Sequence, residues 1–205
     1  MIVKGTNDIA NKILGNLVEL SPVLFQELKE PAPTPLPKPA PKPEPKPDPS
    51  VMPKIDITEH DSPNQSERTQ PISKLLIHNT DGPTLDGAVS WLCNTESQAS
   101  AHLIIGRDGK VACIVDFDKA AWHAGNRYVN HASIGIECVA DKNNLGLTPV
   151  QERVLVEWVK WFQWKYGIKT EDIITHRTIV ATSCPVHIWS TEAKFLAWRK
   201  ASFGV

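Results

Sequence analysis

The chain has 205 residues, of which 41% are hydrophobic, and this is enough for one domain with a substantial core. Its 22 basic and 23 acidic side chains leave a formal net charge of -1, which gives no reason to expect nucleic acid or an anionic membrane as a partner. A neutral or mixed-charge substrate fits better. The cysteines are scattered singly without a CxxC pair, so we expect reduced thiols, at positions 93, 113, 138 and 184.

The first 30 residues carry apolar side chains at roughly helical spacing from Ile9 to Leu24, which predicts a short amphipathic helix. Such a helix would either pack on the main domain or on another copy of itself, or else dock on a protein partner. Charged residues such as Asp8 and Lys12 interrupt the stretch, whereas a secretion signal needs an unbroken apolar run. No segment approaches the roughly 20 apolar residues of a membrane span. We therefore expect a protein made in the cytoplasm without a leader.

Residues 31–53 alternate proline with small or charged residues, a composition that favours extended polyproline II and cannot bury a core. The segment is predicted to be a semi-rigid spacer, which at about 3.1 Å per residue would reach roughly 70 Å. The polar stretch that follows, up to about residue 73, predicts an irregular chain that lies on the domain surface. The predicted organisation is a helical segment 1–30, a proline-rich linker 31–53 and a catalytic domain 54–205.

From Lys74 onwards, strand and helix patterns alternate. The segment KLLIHNT predicts a buried strand ending at His78, and an amphipathic helix is expected to begin after Pro83. The segment AHLIIGRDGKVACIVDF predicts a hairpin with its turn at Arg107-Asp108-Gly109. Together with the elements that follow, these patterns predict one α/β domain with a central mixed β-sheet flanked by helices.

The next strand is predicted from SIGIECVA. Alternation along a strand places Ile134, Ile136 and Cys138 on one face and Glu137 on the other. A carboxylate therefore projects away from the apolar face of this strand.

A long helix is then predicted to start with Thr148 as its N-cap and to end at Gly167. The aromatic residues within it lie at helical spacing and are expected in the core, namely Trp158, Trp161, Phe162 and Trp164. The segment DIITH predicts a further strand. A loop containing Cys184 follows it, and Ser190 is expected to cap the last helix.

His78, His176 and Cys184 are a candidate zinc-ligand set. A catalytic zinc takes three ligands from His, Cys and carboxylates and keeps one position for water, and a thiolate suits zinc better than calcium or magnesium. Two of the three lie at or just past predicted strand ends, and the third lies in the following loop. Each residue taken singly is more often a core residue than a ligand. Other combinations of His and Cys remain open on spacing alone, with His187 as the best rival ligand.

Six separated blocks occur in the order HNT (78–80), SAHLIIGRDGKV (100–111), AAWHAG (120–125), HASIGIECV (131–139), LTPVQ (147–151) and THRTIVATSCP (175–185). In this order they resemble the N-acetylmuramoyl-L-alanine amidases shared by phage lysozyme-like amidases, bacterial amidases of anhydromuropeptide recycling and animal peptidoglycan recognition proteins. The resemblance covers about residues 73–200 and not the first 70. It implies a zinc at one end of a groove and hydrolysis of the amide between N-acetylmuramic acid and the L-alanine of the stem peptide.

The resemblance implies His78, His176 and Cys184 as the zinc ligands. Glu137 matches a glutamate that members related to the recycling amidases place near the metal. It would act as a general base that takes a proton from water and returns it to the departing L-alanine nitrogen. The alternative for Glu137 is a strand residue that faces solvent.

Two further positions bear on catalysis. Thr182 stands where some relatives have lysine and the recognition proteins have threonine, so its hydroxyl would donate to the developing oxyanion, or would merely cap the loop. Ala101 stands where the phage and animal enzymes have a tyrosine. A tyrosine-dependent mechanism is therefore not expected, and the weight falls on Glu137.

Four residues are predicted to bind substrate. His123 matches a histidine that lines the cleft near the metal, and it would contact the muramyl group or a peptide carbonyl unless it lies behind the ligands or on the surface. Trp122 would stack on a sugar face or be buried. Asn79 and Arg177, each next to a ligand, would orient that ligand, meet a stem-peptide carboxylate, or be solvated.

The implied partner is peptidoglycan, as polymer or muropeptide. A catalytically inactive peptidoglycan-binding module is the alternative, but such modules commonly lose the cysteine ligand, and this chain keeps all three candidates. An endolysin, a delivered wall hydrolase and a cytoplasmic recycling enzyme all fit the sequence. The spacer favours action at the bacterial cell wall, since an enzyme of soluble fragments has no need of reach.

Overall fold

The computed structural model describes residues 48–204. The predicted N-terminal helix and most of the predicted linker lie outside the described residues. Within 48–204, no helix combines the length and the apolar composition that crossing a membrane requires.

The described chain contains seven strands and four α-helices. The strands are β1 Gln65–Glu67, β2 Lys74–Asn79, β3 Leu103–Ile105, β4 Val111–Cys113, β5 Lys119–Ala121, β6 Ser133–Cys138 and β7 Ile173–Thr175. The helices are α1 Leu85–Leu92, α2 Arg127–Ala132, α3 Pro149–Tyr166 and α4 Glu192–Phe203. Short 3-10 turns cover Thr95–Ser97, Thr170–Asp172 and His176–Thr178.

The central sheet has five strands in the order β4-β3-β6-β2-β7. β3, β6, β2 and β7 run parallel to their neighbours, and only the edge strand β4 pairs antiparallel, with β3. The predicted hairpin is this β3–β4 pair, and Gly109 in its turn has a φ of 86°, which glycine adopts without strain. The prediction of a mixed sheet flanked by helices is confirmed.

One face of the sheet packs on α3. Ile77, Ile136 and Leu103 lie fully buried against Trp158 and Phe162 in the larger hydrophobic core. The two elements thus form one continuous apolar layer. The parallel strands contribute branched side chains, and the helix contributes aromatic residues three and four positions apart.

α3 begins as predicted, with Thr148 and Gln151 in a reciprocal capping box, and Gly167 ends it in the left-handed conformation at φ 67°. The prediction for Trp164 was wrong, because its side chain is 55% exposed. Six positions after Trp158, at about 100° per residue, a side chain is rotated well away from the core face.

The other face of the sheet packs on α1, which Thr84 caps by accepting a hydrogen bond from the backbone N–H of Gly87. Ala88, Val89 and Leu92 form a second, smaller core with sheet residues such as Ile104.

The segment predicted to be irregular, up to residue 73, is instead bound into the domain. β1 pairs antiparallel with β5, and Ile57 bridges to Ala112. Asn64 is buried and donates to the carbonyls of Asn94 and Ala99. Hydrogen bonds from polar side chains hold this segment on the domain. Because the segment lacks regularly spaced apolar residues, its sequence does not indicate that it is ordered.

The last helix also starts one residue later than predicted. Its N-cap is Thr191, whose hydroxyl accepts from the backbone N–H of Lys194, and not Ser190. Both residues carry a capping hydroxyl, so their types alone do not separate the two positions.

Candidate metal centre

Three neighbouring parallel strands end side by side at the candidate site. His78 near the end of β2 is the register partner of Glu137 on β6, and Ile77 is the partner of Thr175 on β7, the residue before His176. Since parallel strands present their carboxyl ends at the same edge, the sheet itself brings these groups together.

His78, His176 and Cys184 form one cluster. A ligand atom from each lies within 4.8 Å of the others, and the Cys184 Sγ is 3.7 Å from His78 Nδ1. The rings of His78 and His176 are 4.7 Å apart between centroids. The rival ligand, His187, is turned elsewhere, with Nε2 2.8 Å from the carboxylate of Asp81.

The cluster fits a zinc ion by its chemistry. Two imidazoles and one thiol are the donor types that zinc prefers, and three of them leave one position open. His176 Nε2 is buried and has no hydrogen-bond partner among residues 48–204, which is costly for a neutral ring unless something else engages that nitrogen. A metal ion at the cluster would satisfy it.

Burial sets the protonation of the cluster. It lowers the pKa of His78, which is 1% exposed, and the neighbouring His176 lowers it further. Burial also lowers the pKa of His176, against a hydrogen bond to the backbone of Ala124. Both rings are therefore neutral at pH 7, the form that binds metals. Burial raises the pKa of the Cys184 thiol to about 12, so this ligand must lose a proton when a metal binds.

The loop that carries Cys184 is fixed by two neighbouring residues. Thr182 Oγ1 accepts a hydrogen bond of 3.2 Å from the backbone N–H of Cys184. The backbone N–H of Asn79 donates to the Cys184 Sγ at 3.4 Å, and the Asn79 side-chain oxygen accepts from the backbone N–H of His187 at 3.2 Å. Asn79 is buried, so its side chain spans the gap between β2 and the loop.

Glu137, the register partner of His78, lines a groove of about 550 Å³. The walls of the groove are formed by the chain from Thr80 to Thr84 and by α1, including Trp91, whose side chain is 56% exposed. The carboxylate is half-buried, so it is not a strand residue that faces solvent. Its Oε2 atom is buried without a hydrogen-bond partner in the described part of the chain, and burial raises the pKa of Glu137 to about 8.

His123 lies behind the cluster. It is 6% exposed, its Nδ1 is 3.1 Å from His78 Nε2, and its Nε2 is 3.2 Å from the hydroxyl of Ser133. The structure therefore brings His123 to a ligand and not to the wall of the Glu137 groove. Ser133 was not identified from the sequence as a functional residue. The signal that could have found it is a serine at the first position of β6.

The remaining predicted residues are dispersed. Trp122 is half-buried and borders a second groove of about 400 Å³, to which Asn126 and Arg127 also contribute. Arg177 points to α4, donating to the carbonyl of Trp189 at 2.7 Å and lying 3.8 Å from the carboxylate of Glu192.

Ala101 is fully buried in the smaller hydrophobic core. All four cysteines are free, as predicted.

Comparison with known proteins gives a consistent result. A family model described as N-acetylmuramoyl-L-alanine amidase matches residues 68–187, more than half of the chain. N-acetylmuramoyl-L-alanine amidase A of Achromobacter lyticus is 36% identical over 77 residues, which are 37% of this chain and 42% of that protein. The 1,6-anhydro-N-acetylmuramyl-L-alanine amidase AmpD of Salmonella typhimurium is 28% identical over 130 residues, 52% of this chain and 69% of that protein.

Among solved structures, that of PlyL superposes with a TM-score of 0.62, covering 74% of this chain and 99% of that one. At 20% sequence identity, this likeness establishes the shared fold. The chain spans less than half the length of the Achromobacter relative.

Proposed function

Because the chain belongs to the N-acetylmuramoyl-L-alanine amidase family, we propose that it hydrolyses the amide bond between N-acetylmuramic acid and L-alanine in peptidoglycan, with zinc held by His78, His176 and Cys184. One observation carries the proposal. A three-donor cluster lies beside an unpartnered carboxylate, Glu137, in a groove large enough for a peptide segment. An inactive binding module would have no use for this pairing.

Amide hydrolysis in water is slow because water is a poor nucleophile and the amine must be protonated to leave. When bound, zinc polarises the scissile carbonyl and lowers the pKa of water towards about 7. The two neutral imidazoles and the Cys184 thiolate would hold it from the protein side. The remaining steps fall to the side chains around this cluster.

Glu137 is the proposed general base and acid. Its carboxylate takes the proton from the attacking water and returns it to the L-alanine nitrogen as the C–N bond breaks. Two features support this role: Oε2 has no hydrogen-bond partner within residues 48–204, and the pKa of the group, raised to about 8, lies near neutral pH. In the metal-free protein a carboxyl with this pKa is mostly protonated at pH 7, and a zinc ion held by the cluster would, as a nearby positive charge, lower the pKa and favour the carboxylate that a base requires.

Thr182 is proposed to donate to the oxyanion that forms on the scissile carbonyl. Its oxygen already accepts from the backbone of Cys184, an arrangement that leaves the hydroxyl proton free for a second contact. The same hydrogen bond supports the loop, so a removal of the hydroxyl alone does not separate the two roles.

Substrate contacts are proposed on both sides of the cluster. The groove at Glu137 and Trp91 suits the stem peptide, whereas Trp122, with neighbouring amide and guanidinium groups, suits a sugar ring. Asn79 is proposed to hold the ligand loop. Arg177 is engaged by α4 and would reach a stem-peptide carboxylate only by giving up the Trp189 carbonyl.

The catalytic domain is proposed to begin near residue 54, because Asp56 and Ile57 already donate backbone hydrogen bonds to Val111. We propose that it acts on the bacterial cell wall as a lytic enzyme. The N-terminal segment and the proline-rich linker would then bring the domain to its substrate, the former through a protein partner.

The test is digestion of isolated peptidoglycan by the full chain, with the products identified by mass spectrometry. We expect intact stem peptides that begin at L-alanine, lost on chelation, restored by zinc, and absent with Cys184→Ala. Cys113→Ala is the matched control, since Cys113 is also a free, half-buried cysteine but lies on β4 away from the cluster. Soluble anhydromuropeptides assayed in parallel distinguish a wall hydrolase from a recycling enzyme. Binding of peptidoglycan without cleavage by the zinc-loaded protein would overturn the proposal.

A further inference from the structure

A chain of buried hydrogen bonds runs from a backbone carbonyl to the candidate metal cluster. The hydroxyl of Ser133 donates to the carbonyl of Val129 at 2.5 Å, and the same oxygen lies 3.2 Å from His123 Nε2. His123 Nδ1 lies 3.1 Å from His78 Nε2. His78 Nδ1 then faces the Cys184 Sγ at 3.7 Å.

The chemistry of these groups allows one order of protons. A backbone carbonyl only accepts, so the single proton of the Ser133 hydroxyl goes to Val129. Ser133 must then accept from an N–H at His123 Nε2. In a neutral ring this leaves a lone pair on His123 Nδ1, which accepts from His78 Nε2–H. The lone pair of His78 is consequently on Nδ1, on the side of Cys184 and His176.

We propose that Ser133 and His123 are positioning residues which, through this chain of hydrogen bonds, hold the His78 ring in the tautomer and orientation that present Nδ1 to the metal. The inference rests on the zinc site of the proposed function. It assigns His123 to the ligand and not to the substrate, in place of the role predicted from the sequence.

The backbone is shaped to admit this ring. A Cβ atom at Gly135 would lie 2.5 Å from His123 Cγ, far inside contact distance, so only glycine at this position of β6 leaves room for the imidazole. His102 closes the other side, with its ring centroid 5.8 Å from that of His123. The His123 ring therefore has little freedom to turn. Its fixed orientation determines which nitrogen of His78 carries the proton.

The experiment measures zinc affinity of the full chain by competition with a chromophoric chelator, which does not depend on hydrolytic activity. Ser133→Ala is compared with Ser100→Ala, whose buried hydroxyl also makes two hydrogen bonds but contacts only Asn64 and Trp122. We expect the affinity to fall about 10-fold or more in Ser133→Ala and to stay unchanged in Ser100→Ala. Equal zinc affinity of these two variants would overturn the proposal.

A second pair of variants tests the acceptor itself. His123→Asn and His123→Leu have nearly the same shape, but only asparagine offers an oxygen near the position of Nδ1. We expect zinc binding about 10-fold or more weaker for the leucine variant and partial recovery for the asparagine variant. If both bind zinc within threefold of the parent, His123 does not position His78. Absence of zinc binding by the parent chain would instead contradict the proposed function, so the two failures are distinguishable.

Discussion

Glu137 and His78 are register partners on two adjacent parallel strands, so their side chains leave the same face of the sheet at the same edge. The spacing between the proposed base and the first ligand is thereby set by backbone hydrogen bonds in the middle of the sheet, not by a loop. A general base has to be held in this way, because proton transfer requires hydrogen-bond distance to the reacting water. The first prediction concerns this pair.

Replacing Glu137 by glutamine should remove catalysis while leaving metal binding in place. Glutamine has the same shape but cannot take a proton, so we expect kcat to fall by about 100-fold or more, with zinc affinity within a fewfold of the parent. Product release from peptidoglycan and chelator competition measure the two quantities on the same preparation. Full activity of Glu137→Gln would exclude the carboxylate as the base and would transfer that role to a group near Thr182.

The same residue predicts a pH dependence of stability in the metal-free protein. Burial raises the pKa of Glu137 from its ordinary value of 4.5 to about 8, so between these values the folded state holds a proton that the unfolded state has lost. The contribution of Glu137 to the free energy of unfolding is thus greatest below about pH 4.5, falls as the pH rises, and levels off above about pH 8.

Urea unfolding of the parent and of Glu137→Gln at pH 5 and pH 9 measures this effect. The ligands titrate in both proteins, so the difference between the two curves reports on Glu137 together with its effect on the pKa of Cys184. We expect the free energy of unfolding of Glu137→Gln, relative to that of the parent, to be higher at pH 9 than at pH 5 by on the order of 1 kcal/mol or more. Parallel curves would mean that the carboxyl is ionised in the folded protein already at pH 5.

The sequence predicted the parts of the structure that depend on local patterns. Buried strands such as β2 and the capping box at Thr148 follow from apolar runs and from short-range hydrogen bonding, and both were found at the expected residues. The cluster of His78, His176 and Cys184 required the resemblance to choose it, because spacing along the chain does not say which strand ends are neighbours. The strand order supplies that information.

The contacts that the sequence did not indicate concern polar groups whose partners are distant in the chain. The substrate contact expected of His123 stays a prediction, whereas its hydrogen bond to His78, 45 residues earlier, was one of two alternatives that the sequence left open. Asn64 bonds to residues 28 to 35 positions later, and this orders a segment with no apolar pattern. A hydroxyl, an amide or an imidazole is compatible with surface and interior alike, so only the fold identifies its partner.

Thr182 allows a separation of catalysis from loop support. Thr182→Ser keeps the hydroxyl, with its contact to the Cys184 backbone and its proposed contact to the oxyanion, whereas Thr182→Val removes it at nearly constant shape. We expect the valine variant to lose about 100-fold in kcat with little change in KM, and the serine variant to stay close to the parent. Zinc affinity is measured on the same variants, because the hydroxyl also accepts a hydrogen bond from the backbone N–H of the ligand Cys184. If zinc affinity falls as far as kcat, Thr182 supports the ligand loop and has no separate role at the oxyanion.

Arg68 gives the last prediction, on the segment that the sequence failed to order. Its guanidinium donates to the carbonyls of Phe117, Lys119 and His131, which lie in two separate segments of the chain. It also lies 2.9 Å from His102 Nε2, and burial lowers its pKa to about 10. No other side chain supplies several donors in one plane, so lysine is not an equivalent replacement.

We expect Arg68→Met to lower the free energy of unfolding by about 3 kcal/mol or more, because it leaves buried carbonyls without donors, and Arg68→Lys to fall in between. Glu67→Gln is the control one residue away, since its ion pair with Lys119 is exposed and worth at most about 1 kcal/mol. Urea denaturation compares the three variants. A loss in Arg68→Met no larger than in Glu67→Gln would mean that β1 pairs with β5 without help from the guanidinium, and that backbone hydrogen bonds alone order the segment.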